Sequence, residues 1–575
     1  MTLSKQTAIS KAVSTIQVAV ILVVIIVAAV VVYYYAVPSS GGSSSSSSTS
    51  LKSTIILGTT DAVQTSIDPS DAYDYFGDNM IQNLGAPLVD FAPGATDTSP
   101  SALQPALATK WSVSSDGLTY TFIVRSGLKY DDGTPFNSTD VAYSFNRGIS
   151  LANPDGPFVG IGYGDIIDHI TTPNATAVVF HLKHPFSAFL SLMTFGGSYI
   201  VNPTKAPMPT PPYRGSYTGR INFTAGNAKA SNPNGLGPYT LTEWTRSGTK
   251  DVEITLNANP NYWNYPAYPK TNTVIIKFYP DPTSLAAAIR SGDVDIAYRQ
   301  FTTTDIQSFM TTSGLKVYSS PGAFIQYIVM NEHLAPYNDI NVRQGLAAAI
   351  NRTDLSDTVF AGTAVPLYSQ IPVGMSGHTD AFKTAYGADA NYTLARAFLA
   401  KSGYNANNKL TVDLWYETTG HYPQSADQAQ VIQKDLQASG VITVNLHGID
   451  WPTFHSNLHA GSMTMWIYGW YPDFIDPYDY TQPFLTSTGA SWLHDGYNST
   501  TMDGLVNQAA TATSPSQATS IYAQVLTLQA QDAPIIPLYQ GGSNCCGAVA
   551  KTTVGGVNLD VTLIFRLYTI YESSS

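Results

Sequence analysis

A chain of 575 residues exceeds the length over which one hydrophobic core usually grows, so two or more lobes are expected. Only 12% of the residues are charged and the formal net charge is −12, which argues against nucleic-acid binding because that function needs clustered Lys and Arg. The two cysteines, Cys545 and Cys546, are adjacent, so they provide neither a disulfide framework nor spaced zinc ligands. They are interpreted as structural thiols or as a vicinal disulfide.

The N-terminal region combines a basic start with a long apolar run. Residues 1–15 include Lys5 and Lys11, and the nineteen consecutive residues from Val18 to Ala36 are apolar or tyrosine. A helix of about 20 such residues spans a bilayer, and the positive residues before it stay on the cytoplasmic side. We therefore predict a single-pass anchor over residues 16–36, a location at the cell membrane and an extracellular body.

Three further features concern processing and the protein surface. Residues 11–14 read KAVS, which resembles the processing site of archaeal pilin-like signal peptides and implies an archaeal source, with the apolar helix kept as the anchor. The Ser/Gly-rich residues 37–53 predict a flexible linker. Asn-x-Ser/Thr sequons, compatible with a glycoprotein, begin at Asn137, Asn174, Asn222, Asn351, Asn391 and Asn498.

The body begins with alternating strand and helix signals. Residues 54–58 predict a short buried strand, and residues 120–125 predict another because their side chains are β-rich and alternate. Asp281 and Pro282 predict the start of a helix, since Asp caps free backbone N–H groups and Pro suits the first turn. Gly292 ends that helix, and residues 294–298 predict the next strand.

The second half continues this alternation. Helices are predicted over 391–401 and 424–439, and strands over 410–416 and 441–445. A glycine stands just past the end of each helix and indicates its stop. The alternation predicts α/β lobes with central sheets.

A set of short motifs follows the chain in a fixed order. They read LATKWSVSSDGLTYTF at 107–122, GLKY at 127–130, DGTPF at 132–136, GPY at 237–239, NPNYW at 259–263, SGDVD at 291–295, VRQG at 342–345, AINR at 349–352, GWYPD at 469–473, DP at 476–477 and APIIP at 533–537. In this order they resemble solute-binding protein family 5, the peptide, oligopeptide and nickel class of extracytoplasmic substrate-binding proteins of ABC importers.

The resemblance implies a two-lobed α/β fold of the periplasmic-binding-protein type II, with a hinge that lets the lobes close over a ligand. Carried over, lobe 1 comprises residues 54–75, 236–315 and 535–575, with an inserted subdomain at 76–235, and lobe 2 comprises 316–534. It further implies a monomer without cofactor or metal. Such a protein delivers its ligand to ABC permease subunits that are driven by cytoplasmic ATPase subunits.

The resemblance also implies one binding residue. In peptide-binding members, an aspartate in a Gly-Trp-x-x-Asp-x-x-Asp-Pro segment receives the peptide ammonium group, and Asp473 stands at that position. A carboxylate in a closing, partly dry cleft makes a charge-assisted hydrogen bond about twice as strong as a neutral one. The alternative is that Asp473 caps a loop or a helix end. Asp476 and Asp479 follow at spacings that do not match a calcium-binding EF-hand loop.

One departure from the family concerns the ligand carboxylate. Dipeptide-specific relatives place a carboxylate-pairing arginine before the helix that matches 424–439, whereas residues 417–423 read ETTGHYP here. Strict dipeptide recognition is therefore disfavoured, and longer peptides are the predicted ligands.

An oligosaccharide is the alternative ligand, because sugars stack on aromatic rings. Five large aromatic residues crowd the predicted lobe 2: Trp415, Tyr416, Trp451, Trp466 and Trp470. Most of them are expected in the core, since large aromatics dominate cores. We expect two to face the cleft, Trp415 and Trp470, and we place Tyr416 and Tyr471 with them in the binding site.

Enzyme classes are disfavoured by the sequence. It contains no Gly-x-Ser-x-Gly elbow, no His-Glu-x-x-His pair and no phosphate-cradling Gly-Lys-Ser/Thr loop. A binding protein without catalytic activity is therefore predicted. A secreted hydrolase, whose paired acids cannot be recognised from sequence, and a surface-layer protein are the alternatives.

Overall fold

The computed structural model describes residues 54–64, 66–208, 232–248, 250–319, 322–419, 421–542, 547–559 and 562–573. They belong to one compact unit that extends from residue 51 to residue 575. The predicted anchor, the linker, the sequon at Asn222 and both cysteines lie outside the described residues. Within the described part of the chain, no helix is long and apolar enough to cross a membrane.

The first large sheet has seven strands and is built around Thr54–Thr59. This strand lies between two parallel neighbours, and the outer strands join antiparallel. Apolar side chains of the sheet pack with helix Tyr75–Leu84 to form a separate core. In spatial order the strands are Leu315–Ser319, Gly547–Lys551, Ile296–Tyr298, Thr54–Thr59, Thr273–Phe278, Lys250–Ala258 and Tyr239–Ser247.

The predicted helix after Asp281 forms the connection between two parallel strands of this sheet. The Asp281 carboxylate accepts a hydrogen bond from the Ser284 amide at 2.8 Å, and helix Pro282–Ser291 follows. Gly292 ends it with a φ of 86°, a left-handed conformation that costs glycine little. The chain then enters Ile296–Tyr298, so this prediction is confirmed.

The second large sheet has six strands of mixed direction. Its strand Leu410–Glu417 runs parallel to both neighbours, whereas Ile325–Met330 pairs antiparallel on both sides. Helices Tyr392–Lys401 and Ser425–Ala438 lie within one residue of their predicted ends. In spatial order the strands are Ala364–Pro366, Ile535–Gly541, Ile325–Met330, Met465–Trp470, Leu410–Glu417 and Ile442–Ile449.

A third, smaller sheet forms in the predicted insert. It is a four-stranded antiparallel sheet, and the motif at 107–122 supplies its first hairpin. Helix Ser138–Leu151 packs against it and begins with a capping box between Asn137 and Asp140. In spatial order the strands are Ala108–Val113, Thr119–Val124, Ala177–Leu182 and Ile167–Asn174.

The remaining elements are shorter or connect the sheets. The two-stranded ribbons are Val89–Phe91 with Leu103–Pro105, and Val554–Gly555 with Tyr571–Glu572. The other α-helices are Pro157–Gly160, Tyr163–Ile166, Phe189–Leu192, Thr303–Thr311, Ile340–Ala349, Arg352–Phe360, Ala381–Tyr386, Trp451–His459, Pro477–Leu485, Thr500–Ala510 and Pro515–Asp532. The 3-10 helices are Pro100–Ala102, Gly196–Ser198, Gly489–Leu493 and Leu567–Thr569.

The chain crosses between the two large sheets twice, and this corrects part of the predicted lobe boundaries. We assigned residues 535–575 to lobe 1, but Ile535–Gly541 pairs antiparallel with Ile325–Met330 inside the second sheet. All seven residues of the strand are buried, so its mainly apolar side chains are removed from water within the second sheet. The chain returns to the first sheet only with strand Gly547–Lys551.

Candidate functional site

A cavity of about 700 Å³ lies where strands of both large sheets end. Lining residues that directly follow strands are Thr60, Arg299 and Tyr471, from both sheets. Thr54–Thr59 and Ile296–Tyr298 run parallel, so both of their carboxyl ends meet at the cavity. Ligands of open α/β sheets bind at such ends, and the volume is in the range of small-molecule sites. The fold therefore offers a binding site between its two sheets.

Asp473 lies on the cavity wall and joins residues from both sides of it. The Tyr73 hydroxyl, from the first part of the chain, donates to Asp473 Oδ2 at 2.8 Å. The backbone N–H of Asp473 donates to Asp479 Oδ2 at 3.1 Å, and Trp470 Nε1 donates to the same oxygen at 2.9 Å. Asp479 therefore holds the loop that presents the Asp473 carboxylate.

The environment disfavours the charged form of this carboxylate. Burial raises the pKa of Asp473 to about 7, although the hydrogen bond from Tyr73 opposes the rise. Burial raises the pKa of Asp479 as well, and the charge of Asp473 adds to that effect. A cation that entered the cavity beside Asp473 would supply the missing countercharge and stabilise the carboxylate.

The helix-capping role considered as an alternative for Asp473 is filled by Asp476 instead. Asp476 precedes helix Pro477–Leu485, and its Oδ1 accepts the Tyr478 amide at 2.9 Å. Satisfying a free N–H at the first turn is what an N-cap residue does. Asp473 does not cap this helix, and it lines the cavity. No group of three or more His, Cys, Asp or Glu side chains in the described part of the chain is arranged to hold a metal.

The cavity carries more acidic groups than basic ones. Among its described lining residues are four aspartates, Asp61, Asp74, Asp78 and Asp473, and a single Lys or Arg, Arg299. Burial raises the pKa of Asp78 to about 8, and the charge of Asp473 contributes to the rise. Sequence reasoning missed Asp78, whose only signal is a lone acid within the helix sequence YFGDNMIQNL.

Arg299 connects the two sides of the cavity. Its guanidinium pairs with Asp61 at 3.1 Å, donates to the Tyr471 hydroxyl at 3.0 Å, and lies 3.9 Å from the Tyr75 ring centroid. The side chain is only 3% exposed. Arg299 and Gln300 have φ values of 66° and 60°, a left-handed conformation unfavourable for such residues. These contacts hold Arg299 in its unfavourable conformation. Such a conformation persists only where the surrounding structure enforces it.

Aromatic rings cover much of the cavity wall. Of the five aromatic residues singled out in the sequence, the lining includes Trp451 and Trp470, with Tyr471 beside them. The ring of Trp451 stacks on His421, with centroids 3.7 Å apart and planes 9° apart. Trp470 packs at right angles to Phe484. The lining therefore combines acidic groups with apolar ring surface.

Two predicted contacts are corrected by the structure. Trp415 and Tyr416 are not among the described residues that line the cavity. Both lie in strand Leu410–Glu417, and the first described lining residue after this strand is Thr419. The Trp415 ring instead stacks on His447, with centroids 4.4 Å apart. Trp451, which we expected in the core, occupies the cavity wall.

Comparison with known proteins places the chain in a family. Residues 102–492, more than half of the chain, match the model of the bacterial extracellular solute-binding proteins, family 5, middle region. The chain belongs to this family. The resemblance read from the ordered motifs is thereby confirmed.

Two relatives cover most of the chain. The di/tripeptide-binding protein 2 of Pseudomonas aeruginosa is 28% identical over 505 residues, which is 83% of this chain and 88% of the relative. The periplasmic oligopeptide-binding protein OppA of Salmonella typhimurium is 26% identical over 492 residues, 81% of this chain and 84% of the relative.

Solved structures show the same fold. The periplasmic binding protein DppA from Helicobacter pylori, in complex with the peptide STSA, has a TM-score of 0.71 at 21% identity and covers 91% of this chain and 98% of its own. The substrate-binding protein CtaP of Listeria monocytogenes has a TM-score of 0.74 at 21% identity, with 91% and 99% covered. The predicted two-lobed α/β fold of periplasmic binding proteins is confirmed.

Proposed function

We propose that this protein is the extracytoplasmic substrate-binding component of an ABC importer and that it captures oligopeptides between its two lobes. It delivers them to membrane permease subunits that work with cytoplasmic ATPase subunits. Family membership supports the binding role, and the names of two relatives support peptides as the ligand class. We assign the protein no catalytic activity and expect a monomer.

The observation that carries the peptide assignment is the Asp473 carboxylate on the cavity wall. A peptide with a free N-terminus always bears one ammonium group there. An acidic cavity attracts this group, and a carboxylate removed from water binds it by a charge-assisted hydrogen bond. Asp61 pairs with Arg299 and burial raises the pKa of Asp78 to about 8, so the cavity offers an ammonium group the Asp473 carboxylate rather than four free negative charges.

The lack of an available cationic partner for the ligand carboxylate among the described lining residues supports peptides longer than two residues. His421 stands in the segment where dipeptide-specific relatives place their arginine, and burial, followed by the charge of Arg299, lowers its pKa to about 4. It is therefore neutral at pH 7. Arg299 is already engaged by Asp61 and Tyr471 and is nearly inaccessible. We infer that the ligand carboxylate lies in solvent or near neutral donors, which a longer peptide allows.

An oligosaccharide is the second candidate, since Trp451, Trp470 and Trp492 all line the cavity. Stacking against a sugar requires an open ring face. One face of Trp451 is covered by His421, and the edge of Trp470 is fixed by its hydrogen bond to Asp479. Fewer tryptophan ring faces are therefore open to a sugar than the number of tryptophans suggests, so we favour peptides as the ligands.

A calorimetric titration distinguishes these ligands. The protein is titrated with a pool of free-amine tri- to pentapeptides, with the same pool after N-acetylation, and with a pool of cello-oligosaccharides. We expect binding of the free-amine pool alone. Equal affinity for the acetylated pool contradicts the ammonium contact, and selective binding of the sugars favours the second candidate. Mass spectrometry of material that co-purifies with the protein identifies the natural ligand.

Closure of the lobes is proposed from the contacts that cross the cavity. The Tyr73–Asp473 and Arg299–Tyr471 hydrogen bonds each join a residue of the predicted lobe 1 to one of lobe 2. Hinge closure around a ligand is a common motion of binding proteins. We expect added ligand to reduce the radius of gyration in solution scattering; an unchanged curve with saturated ligand contradicts closure.

The N-terminal region completes the proposal. The run from Val18 to Ala36 is proposed as a single-pass anchor that places the body on the outer side of the membrane. Partition of the full chain with membranes, and digestion of the body by protease added to intact cells, test it. The archaeal source inferred from residues 11–14 is not supported by the relatives described above, which are bacterial.

A further inference from the structure

Two histidines on one exposed helix face stand apart from the peptide contacts proposed above. His455 and His459 occupy positions i and i+4 of helix Trp451–His459, and both are exposed. Residues four apart lie one above the other on a helix. Their Nε2 atoms are 3.2 Å apart, so the two imidazoles point their ring nitrogens at one another.

This spacing matches the bite of a metal chelate. Imidazole nitrogens bind zinc at about 2.0–2.1 Å, so two of them at an angle of about 90–109° are about 2.9–3.3 Å apart. The observed Nε2–Nε2 distance of 3.2 Å lies within that range. Histidines at i and i+4 on one helix face also supply two ligands in zinc-dependent proteases. The distance therefore suits a chelate, and rotation of the two exposed side chains would turn both lone pairs towards one ion.

The pair is accessible to an ion from solvent, because both side chains are exposed on the helix surface. The ring of His494 lies next to His459, with centroids 6.3 Å apart.

We propose that His455 and His459 together bind a divalent transition-metal ion at the rim of the cavity. The chemistry of two imidazoles selects Cu²⁺, Ni²⁺ or Zn²⁺, with Cu²⁺ bound most tightly. No third His, Cys, Asp or Glu in the described ranges completes a metal-binding group with them, so water fills the remaining positions. His455 also lines the cavity, which places the ion beside the peptide site. This role goes beyond the proposed function, which assigns no metal.

The test measures binding of Cu²⁺, Ni²⁺ and Zn²⁺ salts to the untagged full chain by calorimetry, and records the Cu²⁺ electron paramagnetic resonance spectrum. Losing even an outer-sphere partner of a metal ligand costs about 10–100-fold in affinity, so H455N or H459N should weaken Cu²⁺ binding at least about tenfold. The parent spectrum should show coupling to two imidazole nitrogens, and each variant should lose one.

A second histidine pair in the chain supplies the control. The rings of His169 and His181 stack with centroids 4.2 Å apart and planes 9° apart, so their in-plane lone pairs cannot converge on one ion. H169N should therefore leave Cu²⁺ affinity unchanged. The proposal is overturned if the H455N/H459N double variant binds Cu²⁺ as tightly as the parent chain. It is also overturned if the parent binds none of the three ions, because the 3.2 Å contact is then only a hydrogen bond.

Discussion

Replacing Asp473 by Asn tests the ammonium contact with little change of shape. The amide oxygen of Asn still accepts the Tyr73 hydroxyl, which donates at 2.8 Å in the parent protein. The backbone N–H at position 473 still donates to Asp479. The substitution therefore removes one charge from the cavity wall and leaves the loop and the contact across the cavity in place.

The expected loss follows from the burial of the charge pair. Removing one member of a buried, hydrogen-bonded charge pair costs about 2–5 kcal/mol, largely because the other charge is left uncompensated. Since about 1.4 kcal/mol corresponds to a tenfold change, the affinity for free-amine peptides should fall about 30-fold or more. N-acetylated peptides lack the cation, so their weak binding should not change.

The assay is a calorimetric titration of parent and variant with one free-amine peptide and its acetylated form. Asp476→Asn is the matched control. Asp476 lies three residues away and is buried, but it caps helix Pro477–Leu485 and is not among the described lining residues. Asn caps helices about as well as Asp, so the control should bind like the parent. Free-amine binding by Asp473→Asn within threefold of the parent would refute the assignment.

Three further predictions concern pH and the contacts across the cavity. First, the pKa of Asp473 is about 7 and a protonated carboxyl cannot pair with an ammonium, so peptide affinity should fall by up to about tenfold per unit as pH drops from 7 to 5. Titrations at both pH values check this, and an equal fall in Asp473→Asn contradicts it. Second, burial raises the pKa of Asp78 to about 8 and of Asp476 to about 7. These carboxyls bind protons more tightly in the folded than in the unfolded chain, so their contribution to stability is full at low pH and is lost as pH rises through about 7–8. Melting at pH 5 and pH 8 should show a lower Tm at pH 8, with a smaller difference in Asp78→Asn; an unchanged difference shows that other groups cause it. Third, Arg299→Ala leaves Asp61 buried without its partner and should lower the free energy of unfolding by about 3–5 kcal/mol, whereas Arg290→Ala, which breaks the more exposed pair with Asp305, should cost less than about 1 kcal/mol. Equal costs in denaturant unfolding would show that the Arg299 pair is not a buried one in solution.

Local structure followed from the sequence wherever neighbouring residues decide it. Asp281, Pro282 and Gly292 define a helix start and stop through hydrogen bonds and φ preferences that act within a few residues, and the observed helix agrees. The helices at Tyr392–Lys401 and Ser425–Ala438 were predicted for the same reason. The ordered motifs also indicated the family, because each motif is a short contiguous run that can be recognised without knowledge of the fold.

Sheet membership and the site depended on contacts between distant residues. An apolar strand such as Ile535–Gly541 satisfies its backbone equally well in either sheet, and only packing against Ile325–Met330 decided between them. Trp415 and Trp451 are both large aromatic residues of the predicted lobe 2, yet of the two only Trp451 is among the described lining residues of the cavity.

The acidic residues of the cavity wall show most clearly the difference between what local sequence predicts and what contacts between distant residues decide. Asp473 was predicted because a local motif marks it, whereas its partner Tyr73 lies 400 positions away in the chain. Arg299 and Asp61, 238 positions apart, form their ion pair only where two parallel strands end side by side. The sequence by itself predicted several helices and strands and marked Asp473 as a candidate binding carboxylate. The tertiary structure decided which charges face that carboxylate, because burial and countercharge are properties of the folded neighbourhood and not of the residue.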